Sequence, residues 1–232
     1  MPSVILEFQV QSKTNIGIRR GEAVRIDNII KSFTNRTPTI LGSDDFSKYS
    51  ILIPLLEKEN ESHILFEVRS EQLRRQPGEI CFPGGRIDQS DKDEKYTAIR
   101  ETCEELGIQE NSLSNIYPTD YLISPYGTII YPFIGVLSNK VAIKPNAAEV
   151  GEVFTVPITY FLQNEPDVYE INMNIEPDKD FPYNLIIGGE NYKWQVHKQK
   201  EYFYNYENKV IWGLTARILK HFIDITRNGL NG

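Results

Sequence analysis

Apolar runs of strand length, separated by polar turns, fill the middle of the chain. Residues 49–56 (YSILIPLL) form an unbroken apolar stretch, the pattern of a strand buried on both faces. After a polar turn at 58–62, residues 63–68 (HILFEV) supply a second strand, so the two make a hairpin-like pair. Residues 115–122 and 128–137 (TIIYPFIGVL) read as further strands of the same sheet, divided by the turn Ser124-Pro125-Tyr126-Gly127. A short strand follows at 153–156. Pro157 then stands where proline favours a helix start, which predicts a helix over 158–163. The clearest helical period lies in residues 211–225 (IWGLTARILKHFIDI), with Leu214, Ile218, Leu219, Phe222 and Ile223 on one face. A closing helix is expected over 209–227.

The flanking segments are weaker. Residues 4–10 (VILEFQV) suit a short strand, 12–20 a loop, and 22–33 a helix with Val24, Ile26, Ile29, Ile30 and Phe33 in helical register. Pro38 and Gly42 mark 34–43 as a turn-rich connection. Residues 1–48 together read as an N-terminal cap on one domain that spans 1–232. Residues 164–206 read as an insertion that either shapes a pocket or is simply a packing hairpin: polar, rich in Pro, Gly and Asn, and studded with aromatics. Within it, 185–187 and 192–196 predict a β-hairpin around Gly188-Gly189. Strands interleaved with helices agree with an α/β class, although periodicity alone does not select it.

Composition narrows the function. A net charge of −7 argues against a nucleic-acid coat, which needs clustered Lys and Arg. No run of 18 apolar residues occurs, so no membrane span is expected. The N-terminus lacks the basic, apolar and cleavage regions of a secretory leader, and two cysteines, Cys81 and Cys103, give no disulfide framework. A reducing cytoplasm fits. Both cysteines read as small buried residues. His63, His197 and His221 show no zinc spacing.

The candidate chemistry sits in residues 65–108. Over 98–107, a predicted short helix, Glu101, Glu104 and Glu105 fall at i, i+3 and i+4, which puts three carboxylates on one face. Like charges at these spacings weaken a helix, and a hard divalent cation removes the conflict. A solvated acidic face is the plain alternative. Upstream, Phe82-Pro83-Gly84-Gly85 makes a tight turn whose glycines permit close backbone approach, and a carbonyl there can complete a metal shell. Arg69, Arg74 and Arg75 lie within seven residues, either as a phosphate clamp or as solvated arginines.

The spacing Arg100-Glu101-x-x-Glu104-Glu105-x-Gly107, with a glycine turn before it, resembles the Nudix box. Departures are Asp91 where Glu is usual, one extra residue before Arg100, and Thr102 at an apolar position. A second stretch resembles the signature of Nudix coenzyme A pyrophosphatases, in which the longer box is typical. Leu65, Arg69, Ser70, Arg74, Gly78 and Phe82-Pro83-Gly84-Gly85 stand in its register, while Phe66 and Glu67 replace the expected Leu and Thr.

The resemblance implies a Nudix-type α/β/α sandwich with a mixed β-sheet, and an enzyme that hydrolyses a nucleoside diphosphate linked to another group. It implies Mg²⁺ or Mn²⁺ held by Glu101, Glu104, Glu105 and a carbonyl near Gly84 or Gly85. A late carboxylate, Glu149 or Glu152, joins the metal site or serves as base; sequence does not separate the two. Arg100 is expected to orient the acidic residues through Asp91. Coenzyme A or a thioester is the implied substrate, cut to 3′,5′-ADP and (acyl-)4′-phosphopantetheine, with Arg69, Arg74 and Arg75 on the phosphates. Another nucleoside diphosphate derivative (a nucleotide sugar or dinucleoside polyphosphate) and a non-catalytic binding module stay open. The expected partner is this small molecule, with no nucleic acid and no membrane; a homodimer is left open.

Overall fold

The computed structural model describes residues 25–230. They divide between Ser43 and Asp44 into two units. In the first, helix α1 (Ile26–Lys31) runs into a connection whose backbone turns at Ile40–Ser43. The strand expected at 4–10, the loop at 12–20 and the start of the helix expected from residue 22 lie outside the described residues.

The second unit holds the sheet. β1 (Ser47–Lys58) and β2 (Glu61–Arg69) form the hairpin that the apolar runs predict, with Leu55 opposite Ile64. Glu59 and Asn60 both take positive φ at its tip, as a two-residue hairpin turn demands. Then come β3 (Ile80–Cys81), β4 (Gly84–Arg86) and helix α2 (Glu94–Leu106). β5 (Leu113–Pro118), β6 (Leu122–Ser124), β7 (Thr128–Leu137) and β8 (Val150–Pro157) follow, then helix α3 (Ile158–Gln163). The chain ends in β9 (Asp167–Met173), β10 (His197–Tyr206), β11 (Lys209–Trp212) and helix α4 (Gly213–Leu230).

The main sheet runs β3-β2-β1-β7-β5, with β4 on β1, β6 on β7 and β8 on β2. β1 and β7 are parallel and the other pairs antiparallel, so the sheet is mixed. Alternation along β1 and β2 feeds two cores. Leu52 and Leu65 pack with Ala98 and Leu106 of α2 on one face. Ile53, Ile64 and Phe66 pack with Phe161 of α3 and Leu219, Phe222 and Ile223 of α4 on the other. Each fully buried aliphatic or aromatic side chain of this kind stabilises by about 1.5–3 kcal/mol relative to exposure. Helices on both faces make the α/β/α sandwich expected, and explain why these strands are apolar throughout.

Three local expectations are corrected. The single strand predicted at 115–122 is two, β5 and β6. Asn115 takes φ 50 and the β5–β7 register shifts beside it. The hairpin around Gly188-Gly189 does not form. Short 3₁₀ turns at Tyr183–Leu185 and Gly189–Asn191 occupy that stretch, and Ile187 is 96% exposed, so its apolar alternation has no face to cover. The hairpin in this region is the wider pair β9–β10, which with β11 makes a separate three-stranded sheet. Finally, the helix expected from residue 209 begins at Gly213. Residues 209–212 are β11, whose Ile211 is buried opposite Tyr204.

Candidate active site

Helix α2 starts at Asp93, whose side chain accepts the Tyr96 N–H, and ends at Gly107 in a left-handed cap. It is longer at its start than the predicted 98–107. Its buried residues Thr97, Ala98, Thr102, Glu105 and Leu106 face the sheet, so Glu105 points inward while Glu104, 58% exposed at its side chain, points out. The three carboxylates are therefore not equivalent. Thr102 fits the apolar face because its hydroxyl donates to the Ala98 carbonyl (2.7 Å).

The glycine turn comes up against this helix because β4 pairs with β1, Gly84 opposite Ile51 and Gly85 opposite Ser50. Gly84 takes φ 150, and a Cβ there would lie 2.4 Å from the Ser50 carbonyl oxygen. Its N–H donates to Glu105 Oε2 (2.7 Å). A Cβ on Gly85 would lie 2.3 Å from Glu101 Cδ, so the Glu101 carboxylate rests on bare backbone.

Arg100 ties the outer carboxylates. It donates from Nε to Asp91 Oδ1 (3.0 Å) and from Nη2 to Asp91 Oδ2 (3.0 Å), a two-pronged pair. The same guanidinium reaches Glu101 Oε1 (2.9 Å) and Glu104 Oε2 (3.4 Å). The Arg100 hydrogen bonds hold the Asp91 carboxyl well below the usual carboxylate range. Asp91 thus does the anchoring from the position where the motif usually carries Glu.

Inside the fold the balance reverses. Glu67 on β2 is 1% exposed, shares a hydrogen bond with Glu105, and has an Oε1 with no partner. Burial, and next the Glu105 charge, push its carboxyl up to about 9. Burial also raises Glu105, to about 8, against the pull of the Gly84 N–H and with the charges of Glu101 and Glu149 adding to the rise. Burial raises Glu101 as well. Nothing in the sequence marked Glu67 except its departure from the signature; inside an apolar strand a single Glu reads as an ordinary alternating position.

Glu149 and Glu152 are separated by the structure. The charge of Glu149 acts on Glu67, Glu101 and Glu105 alike. Its segment hangs on the end of α2: Lys144 N–H donates to the Leu106 carbonyl and Asn146 N–H to the Glu105 carbonyl, both at 2.9 Å. Ser70 N–H then donates to the Glu149 carbonyl (2.8 Å). Glu152, by contrast, is paired with Lys209 at the start of β11.

The arginines also divide. Arg69 and Arg75 line a cleft of about 800 Å³, and Arg69 Nη2 donates to the Arg75 carbonyl (3.3 Å). Arg69 Nε is buried with no partner. Arg74 is exposed and does not line the cleft. Gly84 and Gly85 stand between the cleft and the acidic helix. The opposite wall comes from the second sheet: Tyr169 meets Phe203 edge-on, and Phe203 stacks on Trp212. Cys81 also lines the cleft, its thiol pushed up to about 12 by burial, which keeps it protonated and poorly nucleophilic. His221 pairs with Asp120 (2.7 Å), and His63 is buried in β2.

Among the described residues no three His, Cys, Asp or Glu side chains are already gathered around one point. Glu101 and Glu104 are turned to Arg100, and Glu105 to the Gly84 N–H. The donor set nonetheless fits a hard divalent cation. It offers only carboxylate and carbonyl oxygens, its carboxylates destabilise one another's charge, and Gly85 leaves backbone open beside Glu101. Among the described residues, no helix is long and apolar enough to cross a membrane.

Comparison with known proteins agrees in class. The mouse (Mus musculus) peroxisomal coenzyme A diphosphatase NUDT7 is 38% identical over 135 residues, 58% of this chain and 56% of the relative. The Caenorhabditis elegans peroxisomal coenzyme A diphosphatase ndx-8 is 37% identical over 110 residues, 44% of each chain. The human (Homo sapiens) mitochondrial coenzyme A diphosphatase NUDT8 is 33% identical over 127 residues, 52% of each chain. The chain thus spans about half the length of these curated relatives. Among solved structures, a C. elegans Ap4A hydrolase binary complex is similar with a TM-score of 0.41 and 18% identity, over 50% of this chain and 84% of that one. The NUDIX domain model matches residues 47–170, more than half of the chain, from the start of β1 into β9 and including the glycine turn and the acidic helix, and the chain belongs to the Nudix hydrolase family.

Proposed function

We propose that this chain hydrolyses the diphosphate bond of coenzyme A or its thioesters, giving 3′,5′-ADP and 4′-phosphopantetheine or its acyl form. The observation that carries the reading is the cleft itself. One wall offers Arg69, with an unpartnered buried Nε, beside Gly84 and Gly85 of the coenzyme A signature; the other offers Tyr169, Phe203 and Trp212. A substrate with a charged diphosphate and a long, largely uncharged arm matches both walls. The names of the mouse, worm and human relatives support the same substrate.

Glu101, Glu104, Glu105 and the Gly85 carbonyl are the proposed holders of Mg²⁺ or Mn²⁺, with Glu105 inside and Glu104 at the rim. Bound there, the cation would offset the negative charge of the diphosphate and lower the pKa of a bound water, so that its proton could be given up near neutral pH. Arg69 and Arg75 bind phosphate oxygens. Arg100, held by Asp91, fixes where the Glu101 and Glu104 carboxylates stand. Glu149 is the proposed base, since it faces the cluster while Glu152 is engaged by Lys209. Two free cysteines accord with a reducing compartment, the cytoplasm in our reading, although the relatives are named for peroxisomes and mitochondria.

Mass spectrometry of products decides the substrate. Purified protein is incubated with coenzyme A, short and long thioesters, ADP-ribose, nucleotide sugars and diadenosine polyphosphates, with Mg²⁺ or Mn²⁺. Formation of 3′,5′-ADP and phosphopantetheine, stopped by chelation, is the expected outcome. Turnover of another panel member alone would replace the substrate and keep the hydrolase. No turnover of any would favour a binding module.

A further inference from the structure

Glu67 is an unusual residue to find at its position. It replaces the threonine of the signature, and it is 1% exposed within a strand whose neighbours are apolar. Burying a carboxylate costs several kcal/mol unless something compensates. Among the described residues, the cation whose charge eases it is Arg69, two residues along β2. Its hydrogen-bonded neighbour, Glu105, is another acid, Glu149 adds a third negative charge, and Oε1 has no partner among the described residues. Leu65 and Glu67 share the strand face that α2 covers, so the side chain lies beneath the acidic helix and not toward solvent.

We propose that Glu67 is a further ligand of the cation site, a carboxylate that the Nudix box does not supply. A buried carboxyl packed against other acids, with an oxygen that has no partner, would be satisfied by a shared divalent cation: the cation takes the place of the carboxyl proton, which leaves to solvent, and gives the orphaned Oε1 a partner. The same placement makes the side chain a burden on the fold when no cation is bound. Isosteric neutralisation therefore acts in opposite directions on stability and on cation affinity, which a purely structural side chain would not do. The inference rests on the cation site of the proposed hydrolase.

The test measures Mn²⁺ binding to the full chain by electron paramagnetic resonance and calorimetry, without substrate, beside thermal melting with and without Mn²⁺. Wild type is compared with Glu67→Gln and with Glu67→Thr, the residue of the related signature. Loss of a residue that ligates or directly supports a bound metal weakens affinity about 10–100-fold or more. The expected result is that both variants bind Mn²⁺ at least about tenfold more weakly, while Glu67→Gln melts higher than wild type in the metal-free state. Wild-type Mn²⁺ affinity and resonance line shape in a folded Glu67→Gln protein would overturn the role of Glu67 and leave the hydrolase reading intact. If wild type itself took up no Mn²⁺, the cation site would fail and Glu67 with it. Should Glu67→Gln not fold, Glu67→Thr decides by the same affinity criterion.

Discussion

The two walls of the cleft are built on different principles. On one, Gly84 and Gly85 line the cleft and the acidic groups of α2 stand behind them, each fixed by backbone or by a paired charge: Gly84 donates to Glu105, bare Gly85 seats Glu101, and the Arg100 fork grips Asp91. On the β9–β11 side, the cleft is lined by aromatic faces on a sheet whose β9 strand is almost wholly exposed. In the proposed reaction the first wall tolerates little displacement, because reacting atoms must be placed to a fraction of an ångström. The second needs area and shape only. Changes on the first should therefore alter turnover, and changes on the second should alter which substrates are held.

The largest effect is expected from Glu105→Gln. It keeps the shape and removes an inward charge, and kcat for coenzyme A should fall by about 10³-fold or more, as for loss of a metal ligand. Activity within a few-fold of wild type, measured with a folded protein, would remove Glu105 from the site. Glu149→Gln should lower kcat by roughly 10²–10⁴-fold, the range for a general base. Glu152→Gln should stay within about threefold, as for loss of an exposed ion pair; equal losses in the two variants would erase the distinction drawn between them. Gly85→Ala drives a methyl into the Glu101 carboxylate and should cost about 10²-fold in kcat with little change in melting, as a misplacement near 1 Å does.

Across the cleft, Phe203→Ala should raise KM about tenfold for long thioesters, the loss expected when one aromatic contact is removed. It should leave kcat for free coenzyme A nearly unchanged. A matching drop in kcat would mean that the aromatic wall positions the diphosphate too.

A smaller effect concerns stability. The carboxyls of Glu67 and Glu105 are raised by burial above their unfolded values. A group with a raised folded pKa favours the folded state while it stays protonated. Its contribution is complete below the ordinary carboxylate range and is lost as pH climbs toward about 8 for Glu105 and about 9 for Glu67. Urea midpoints of chelator-treated protein should fall from pH 5 to pH 9, and less so in Glu67→Gln. A flat profile would mean that these groups ionise freely in the folded chain.

Much of the first wall was legible because its information is local. The Glu101, Glu104 and Glu105 spacing, the glycine turn and the cap at Gly107 are each written within a few consecutive residues. The strand 128–137 and the helix 158–163 were equally readable, the first from its apolar run and the second from its proline. What escaped depended on distant partners. Glu149 and Glu152 differ by what faces them, and the partner of Glu152, Lys209, lies 57 residues away. β9 escaped although Tyr169, Ile171 and Met173 alternate with Glu170 and Asn172, because the strand it pairs with, β10, starts only at His197, across a long polar connection. β11 was merged into the closing helix because Ile211 and Trp212 continue the apolar content of α4, and only Gly213 separates them. Glu67 was visible as a letter, but its meaning lay in what covers it.

The hydrogen bonds from Lys144 and Asn146 to the last carbonyls of α2 have one more consequence. They make the C-terminal end of that helix a fixed reference point for whatever arrives after β7. The placement of Glu149 beside the acidic helix is therefore measured from the end of α2 itself, through the few residues between Lys144 and Val150, and not along the whole path of the chain from β7.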